Sequence, residues 1–274
     1  MLPPDIYFRA VDGERKLTKD LLKDPNEPRA PLKVALTAYR NFESTAASRN
    51  STAVGPGLAC SKGCSWCCRG IKVEVTATEA ITIAEYFRSS LEPADFAEFN
   101  ESLQEAATES RALDAHQRHV EQHPCFFLDE ETGECGIYDF RPMRCRGHTS
   151  LDAAVCERAC KTPDDASNIP TDGMIQQISS IFTLGQDQAF RELGYDGESY
   201  ELVSAVAVAA NSPDVALRWM KGERVLAAAR LPSDAKDRAD GSRQLVQSIG
   251  GEGMSRQSRR ALERKIKKAG KKKR

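Results

Sequence analysis

The sequence predicts a mainly α protein with a small β-hairpin, in which a cysteine-rich core packs on a pair of helices and further helices follow. Apolar residues recur at the 3–4 spacing of amphipathic helices over most of residues 31–231. The β-prone runs are short, and four of the nine cysteines fall between Cys60 and Cys68. The expected organisation is an N-terminal arm and helix (1–50), a cysteine-cluster domain (51–165), a helical region (166–231), and a flexible linker with a basic tail (232–274).

The N-terminal half contains three predicted helices. Residues 1–30 are rich in Pro, Asp and Lys without a sustained apolar period, which predicts an extended arm with a few turns. The first helix is expected over 31–49. Thr76–Glu79 has the form of a capping box and begins the second helix. The third follows Pro93 at a 3–4 spacing as far as Val120, and we expect it to pack antiparallel to the second.

Strands are expected at two places in this region. Strict alternation over Ile71–Val75 suits a short strand. Two further β-prone runs, Cys125–Leu128 and Cys135–Tyr138, flank an acidic turn that ends in Thr132-Gly133. This arrangement predicts the hairpin.

The C-terminal part is predicted to be helical. A short helix is expected over Leu151–Lys161. An amphipathic run from Ile175 stops at Gly194, and a buried Ala- and Val-rich run spans 198–210. A last helix is expected to begin at Ser212-Pro213 and to end at Gly222.

The stretch from Ala59 to Arg69 reads A-C-S-K-G-C-S-W-C-C-R and is the centre of the predicted site. Four cysteines this close cannot all fill a core, and disulfides across so few residues would be strained and would constrain the unfolded chain little. Clustered thiolates instead bind soft metals. The C-x3-C-x2-C spacing suits either a helix with ligands on one face or a loop that wraps an iron–sulfur cluster, and the residues alone leave both open.

Three later cysteines are expected to complete the site. Cys125 and Cys135 begin the two hairpin strands, and Arg141-Pro142 turns the chain so that Cys145 can return. Tetrahedral zinc and 4Fe–4S clusters both use distant cysteines in this way. The predicted metal ligands are therefore Cys60, Cys64, Cys67, Cys68, Cys125, Cys135 and Cys145.

Two pairs of cysteines leave alternatives open. Cys67 and Cys68 are neighbours that should point in different directions, so only one is expected to share a metal with Cys60 and Cys64. The other could serve a second metal or a redox step. The pair Cys156 and Cys160 repeats the C-x3-C spacing, and its members are either ligands or structural thiols.

Other side chains near these cysteines have roles that remain predictions. We expect Trp66 to shield the metal and His148 to act as a ligand or proton carrier. Arg141 and Arg144 either contact an anion or the sulfurs of a cluster, or pair locally, as Arg141 could with Asp139. Three histidines at helical spacing are expected on a solvated face: His116, His119 and His123.

Composition and charge indicate a cytoplasmic protein with a basic tail. The chain has 274 residues, of which 40% are hydrophobic and 29% are charged, and no apolar run approaches the roughly 18–20 residues of a membrane helix. No secretory signal pattern is present at its start, and cytosolic thiols stay reduced. Ser255–Arg274 carries eleven Lys and Arg against one acid, so the net charge of −1 combines a tail of +10 with a body of −11. The tail is either a solvated segment or a contact for RNA or the ribosome.

The cysteine pattern resembles a known family. The motif at 60–68, then Cys125-F-F-L, then the run C-G-I-Y-D-F-R-P-M-R-C-R at 135–146, is similar to the YkgJ-type cysteine-cluster proteins, whose motif the flagellin lysine N-methylases share. One departure is Phe126, where many relatives have proline. The resemblance implies a zinc- or iron-chelating domain and a bound metal centre, and implies methyl transfer only weakly.

Three functional hypotheses follow from the sequence. The favoured one is a metal-binding protein with an iron–sulfur cluster or zinc, with the cluster preferred because the thiols outnumber the four that one structural zinc needs. The second is an iron–sulfur-dependent protein-modifying enzyme such as a lysine N-methyltransferase; a radical S-adenosylmethionine enzyme is a further enzyme alternative, because residues 60–67 fit C-x3-C-x-aromatic-C. Few strands and no βα repeat count against the radical enzyme, and no Rossmann glycine loop supports the methyltransferase. The third is a zinc-stapled module that binds RNA through its tail.

Overall fold

A computed structural model describes residues 1–52, 57–162 and 169–231. Within these ranges the chain is mainly α, as predicted. The helices are α1 (Pro4–Leu21), α2 (Ala30–Thr52), α3 (Ala77–Ser90), α4 (Pro93–Ala112), α5 (Ala115–Val120), α6 (Met143–Gly147), α7 (Ala153–Lys161), α8 (Gly173–Leu193), α9 (Leu202–Ala210) and α10 (Val215–Met220). The strands are β1 (Glu74–Val75) and β2 (Tyr200–Glu201), and short 3-10 turns lie at Trp66–Arg69, Tyr138–Phe140 and Ala227–Ala229.

The N-terminal arm predicted for residues 1–30 is wrong, because Pro4–Leu21 forms α1. Its buried residues, Tyr7, Val11, Glu14 and Thr18, do follow a 3–4 spacing, but two of them are polar, so the apolar period is too sparse to detect. α1 packs along α8, where a side chain at Gly185 would meet Glu14 at 2.7 Å. Thr18 and Gln186 donate hydrogen bonds to the buried Glu14 carboxylate, and burial raises its pKa to about 7.

A third helix packs against the predicted pair of helices. α9 is the short run Leu202–Ala210, in which eight of nine residues are buried, and it contacts both α3 and α4. Apolar and small side chains all round a helix let it be enclosed on every side. The core therefore centres on α9, with Trp219 and Phe190 packed edge-to-face beside it.

The predicted third helix is also interrupted. α4 ends at Ala112, and Asp114 then forms a capping box with Gln117 that begins α5. The side-chain bonds of this box satisfy the first backbone groups of a new helix, so the apolar spacing continues across a break in the backbone helix. The break turns α5 towards the cysteines.

The observed β-structure differs in place from the predicted hairpin. β1 pairs antiparallel with β2, which joins Val75 to Tyr200 across the chain. At the predicted hairpin the only ladder contact described is a single antiparallel bridge between Leu128 and Cys135. The loop between them is held by its own turn bonds, including those of Asp129 to the N–H groups of Glu131 and Thr132. Two backbone hydrogen bonds nevertheless pair the predicted runs, from Asp129 N–H to Glu134 and from Gly136 N–H to Phe127, so the hairpin is present but too short to form regular strands.

The predicted linker from 232 and the basic tail Ser255–Arg274 lie outside the described residues. No helix in the described ranges is both long enough and apolar enough to cross a membrane.

Candidate metal centre

The first cysteine stretch is a tight turn followed by one 3-10 turn, and not a regular helix. The N–H of Cys64 donates to the carbonyl of Ser61 at 3.0 Å, and that of Cys68 donates to Ser65 at 2.9 Å. Gly63 has a φ of +87°, which favours glycine. Of the two alternatives left by the spacing, the loop is therefore observed.

The second stretch is attached directly to the first. The N–H of Cys125 donates to the carbonyl of Cys68 at 2.8 Å. Nearby, the turn at Gly133 lies against the turn at Gly63, so closely that a Cβ on Gly133 would come within 2.7 Å of the Gly63 carbonyl oxygen. Two glycines with positive φ thus let the two cysteine loops touch.

Cys145 is positioned by buried polar contacts around α6. Glu79, only 4% exposed, completes the capping box of α3 with Thr76 and also accepts a hydrogen bond from the N–H of Met143 at 2.7 Å. The Arg146 side chain, 2% exposed, pairs with Glu43 of α2 and donates to the carbonyls of Asp139 and Arg141 at 2.5 and 2.7 Å. The sequence motif signals Glu79 as a helix cap, but nothing in the sequence indicates that it holds α6.

Eight of the nine cysteines fall into two adjacent groups. The first, which we call the inner group, contains Cys68, Cys125, Cys135 and Cys145, whose charges would interact with one another. The second, the cavity group, contains Cys60, Cys64, Cys67 and Cys156, which line one cavity. No disulfide links any of them.

The two groups meet at the neighbouring pair Cys67 and Cys68. Their thiols lie close enough together for the ionisation of one to change the pKa of the other. The thiol of Cys67 stabilises a thiolate on Cys68, which lowers the pKa of Cys68 and raises the pKa of Cys67 far above its ordinary value. The 3-10 turn brings the two sulfurs together, because it places consecutive side chains closer than an extended strand would.

Burial keeps the other thiols of the inner group protonated when no metal is bound. It raises the pKa of Cys125 to about 12 and raises the pKa of Cys145 well above its ordinary value. Backbone N–H groups oppose this effect, since Phe127 donates to the Cys125 sulfur and Ile137 to the Cys135 sulfur. Backbone donors aimed at sulfur favour the thiolate, which is the form that binds metal.

A single cation serves both groups. The Arg141 guanidinium lies 3.9 Å from the centre of the Tyr138 ring, and its Nε donates to the Tyr138 carbonyl. Its charge favours the thiolate of a cysteine in each group, including Cys60 and Cys145, against the burial that raises their pKa values. Arg144, which the sequence proposed alongside it, is exposed.

The cavity has a volume of about 210 Å³ and is lined mainly by apolar atoms. Besides the cavity group, its walls include Cys160, Trp66, His119, His148 and Thr149. Trp66 thus lies where a cover for the site was expected. Of the three histidines predicted on a solvated face, His119 lines the cavity and His116 is exposed. Nε2 of His123 lies 3.7 Å from Oε2 of Glu109.

The cysteine and histidine side chains are of the types that bind zinc or iron, but they lie apart from one another. Across residues 1–52, 57–162 and 169–231, no three Cys, His, Asp or Glu side chains are close enough together to hold one metal ion. Thiol clusters with N–H groups on sulfur and a nearby guanidinium are what soft metals require. A metal ion bound here would require sulfurs that lie closer together.

Comparison with known proteins supports this reading of the site. Residues 59–166 match the family model CxxCxxCC, described as "Putative zinc- or iron-chelating domain", which confirms the cysteine-cluster resemblance and supports metal binding. The matched segment contains all nine cysteines. No curated protein and no solved structure matches the chain.

Proposed function

We propose that the protein holds an iron–sulfur cluster through the thiolates of its two cysteine loops, with zinc as the alternative occupant. The ligands are drawn from Cys60, Cys64, Cys67, Cys68, Cys125, Cys135 and Cys145. The observation that carries this proposal is the inner group, in which four thiols from three separate segments interact in a buried setting. Cysteine is a common buried residue, but four thiols that converge from three segments supply the ligand number of one soft-metal centre.

Two features favour the cluster over zinc. Backbone N–H groups point at the sulfurs of Cys60, Cys125 and Cys135, and such hydrogen bonds tune the potential of a cluster. Arg141 supplies a positive charge that offsets the negative charge of a thiolate-bound centre. A bound cluster would supply one-electron chemistry, whereas zinc would serve mainly to hold the loops together.

The residues of the chain prepare the site for loading. The thiols of Cys125 and Cys145 are protonated at neutral pH when no metal is bound, so the incoming metal must displace their protons. The Cys68–Cys125 backbone bond and the Glu79–Met143 bond hold the loops in register while this occurs. Uptake is therefore expected to release protons and to raise the stability of the fold.

The test is purification without oxygen, followed by elemental analysis, sulfide analysis and a visible absorption spectrum. We expect iron and acid-labile sulfide with broad visible absorption, and a lower content of both in Cys145→Ser. A colourless protein with stoichiometric zinc would replace the cluster with the alternative occupant. A folded protein that takes up neither metal on reconstitution would overturn the proposal.

A further inference from the structure

The cavity beside the first cysteine loop contains polar atoms without partners. The hydroxyl of Thr149, a residue 8% exposed, and Nε2 of His119 are both buried and have no hydrogen-bond partner among the described residues. Both residues line the cavity. An unpartnered buried polar group is costly in free energy, so such groups commonly mark the place of a water molecule, an ion or another ligand.

The same cavity is lined by several residues of the types that bind soft metals. Cys60, Cys64, Cys67 and Cys156 contribute thiols, and His148 adds an imidazole. The backbone N–H of Ser150 donates to the Cys60 sulfur at 3.2 Å. Cys60 is close enough to Cys64 and Cys156 for their charges to interact. Four thiols match the ligand number of one zinc ion or one 4Fe–4S cluster.

Cys156 and Cys160, which the sequence could not separate, differ in the structure. The Cys160 thiol donates a hydrogen bond to Oε1 of Gln122 at 2.8 Å, and the Gln122 amide donates back to the Cys160 carbonyl. Gln122 adopts a φ of +55°, an uncommon backbone conformation for a residue other than glycine. This clamp joins the end of α5 to α7 and uses the Cys160 thiol for structure.

Resting on the proposed function, we propose that the cavity is a second metal centre, bound by Cys60, Cys64, Cys67 and Cys156, beside an inner centre bound by Cys68, Cys125, Cys135 and Cys145. Cys160 is not a ligand. The neighbouring pair Cys67 and Cys68 gives one thiol to each centre, which explains why two adjacent cysteines are present. His119 and Thr149 donate hydrogen bonds to the occupant of the cavity.

The inferred second centre also differs from the inner centre in its access to solvent. Cys60 is exposed, whereas Cys125 and Cys145 are only partly exposed. At about 210 Å³ the cavity exceeds several times the roughly 30 Å³ that one water molecule occupies in the liquid, so an occupant with a small exogenous ligand fits. The cavity centre is therefore the one that a small molecule can reach.

The experiment counts metal centres in the full-length chain purified without oxygen. Native mass spectrometry of the wild type is expected to show two centres per chain. Metal and sulfide analysis should show that Cys156→Ser lacks the metal and sulfide of the cavity centre, and that Cys125→Ser lacks those of the inner centre. Cys160→Ser, on the same helix four residues away, should keep both and lose only stability.

The outcomes separate this inference from the proposed function. Wild-type protein without metal would overturn both. One centre in the wild type, or full metal content in Cys156→Ser, would overturn the second centre and leave the first. Because the native mass count uses unmodified protein, it decides the matter even if Cys156→Ser fails to fold.

Discussion

The backbone N–H of Cys125 donates a 2.8 Å hydrogen bond to the carbonyl of Cys68 and so joins two cysteine loops that are far apart in sequence. This bond uses main-chain atoms only and leaves both thiols free to face the inner group. The contact between Gly63 and Gly133 adds a second junction between the same loops. Main-chain contacts therefore join these two loops, and their sulfurs remain free to bind a ligand.

The first prediction concerns the packing of these loops. In Gly133→Ala the new Cβ would lie 2.7 Å from the Gly63 oxygen, and the φ of +72° is strained for alanine. We expect a loss of more than the roughly 1–2 kcal/mol that the left-handed conformation alone costs. Gly63→Ala has the strained φ but open space, and should lose only that amount. Chemical denaturation of the two variants measures the difference, and equal losses would contradict the contact.

The second prediction concerns the buried cap that holds α6. Glu79→Ala removes the acceptor of the Met143 N–H and of the Thr76 N–H. We expect a loss of about 1–3 kcal/mol in the free energy of unfolding and faster loss of metal to a chelator. Glu85→Ala, on the same helix, removes an exposed pair with Arg88 and should cost less than about 1 kcal/mol. Comparable effects of the two substitutions would show that Glu79 does not position Cys145.

The third prediction concerns Arg146, whose guanidinium holds the loop before α6. Arg146→Met leaves the carbonyls of Asp139 and Arg141 without this donor and removes the stack on Tyr39, whose ring centre lies 4.3 Å away. A loss of at least about 2 kcal/mol is expected in thermal or chemical denaturation. The control is Arg144→Met, which alters an exposed neighbour and should change stability little. If Arg144→Met proves as costly, the role given to Arg146 is wrong.

The fourth prediction concerns pH and the α1–α8 interface. The pKa of Glu14 rises from 4.5 to about 7 on folding because the carboxyl is buried. Between these values the folded state binds the proton more tightly, so stability falls as pH rises from about 4.5 to 7, by at most about 3 kcal/mol. Glu14→Gln should remove this part of the pH dependence and be the more stable protein above pH 7.

Its control lies at the rim of the same interface. Glu192 is partly exposed, and hydrogen bonds from Lys19 and Arg15 lower its pKa. Its contribution to stability is therefore present at neutral pH and is lost on acidification, the opposite sign to Glu14. Denaturation curves at several pH values should show Glu192→Gln slightly less stable at neutral pH. An unchanged pH profile in Glu14→Gln would refute the buried, raised carboxyl.

Much of the helical fold could be predicted from local signals. The Thr76–Glu79 capping box, the stop at Gly194 and the helix through Cys156 and Cys160 lie where the sequence places them. Caps and glycine stops act through backbone groups a few residues away, so they can be read locally. α1 escaped prediction because half of its buried positions are polar, and these find partners only on α8.

The arrangement of the thiols was less accessible to sequence reasoning. Spacing identified which cysteines gather, but the division into two groups depends on a 3-10 turn that brings Cys67 and Cys68 together. The different roles of Cys156 and Cys160 depend on Gln122, a residue that no metal motif includes. The Cys160–Gln122 contact joins residues far apart in sequence, and cysteine spacing does not encode such packing. The ligand assignments themselves stay predictions.

The most direct test of the account is the metal and sulfide content per chain of wild-type protein purified without oxygen, measured beside a variant with Cys68, Cys125, Cys135 and Cys145 all changed to serine. We expect iron and sulfide in the wild type, and in the variant a loss of the inner centre. Equal metal content in the two folded proteins would contradict the inner group as a metal site. Absence of metal from the wild type, even after reconstitution, would contradict the account as a whole.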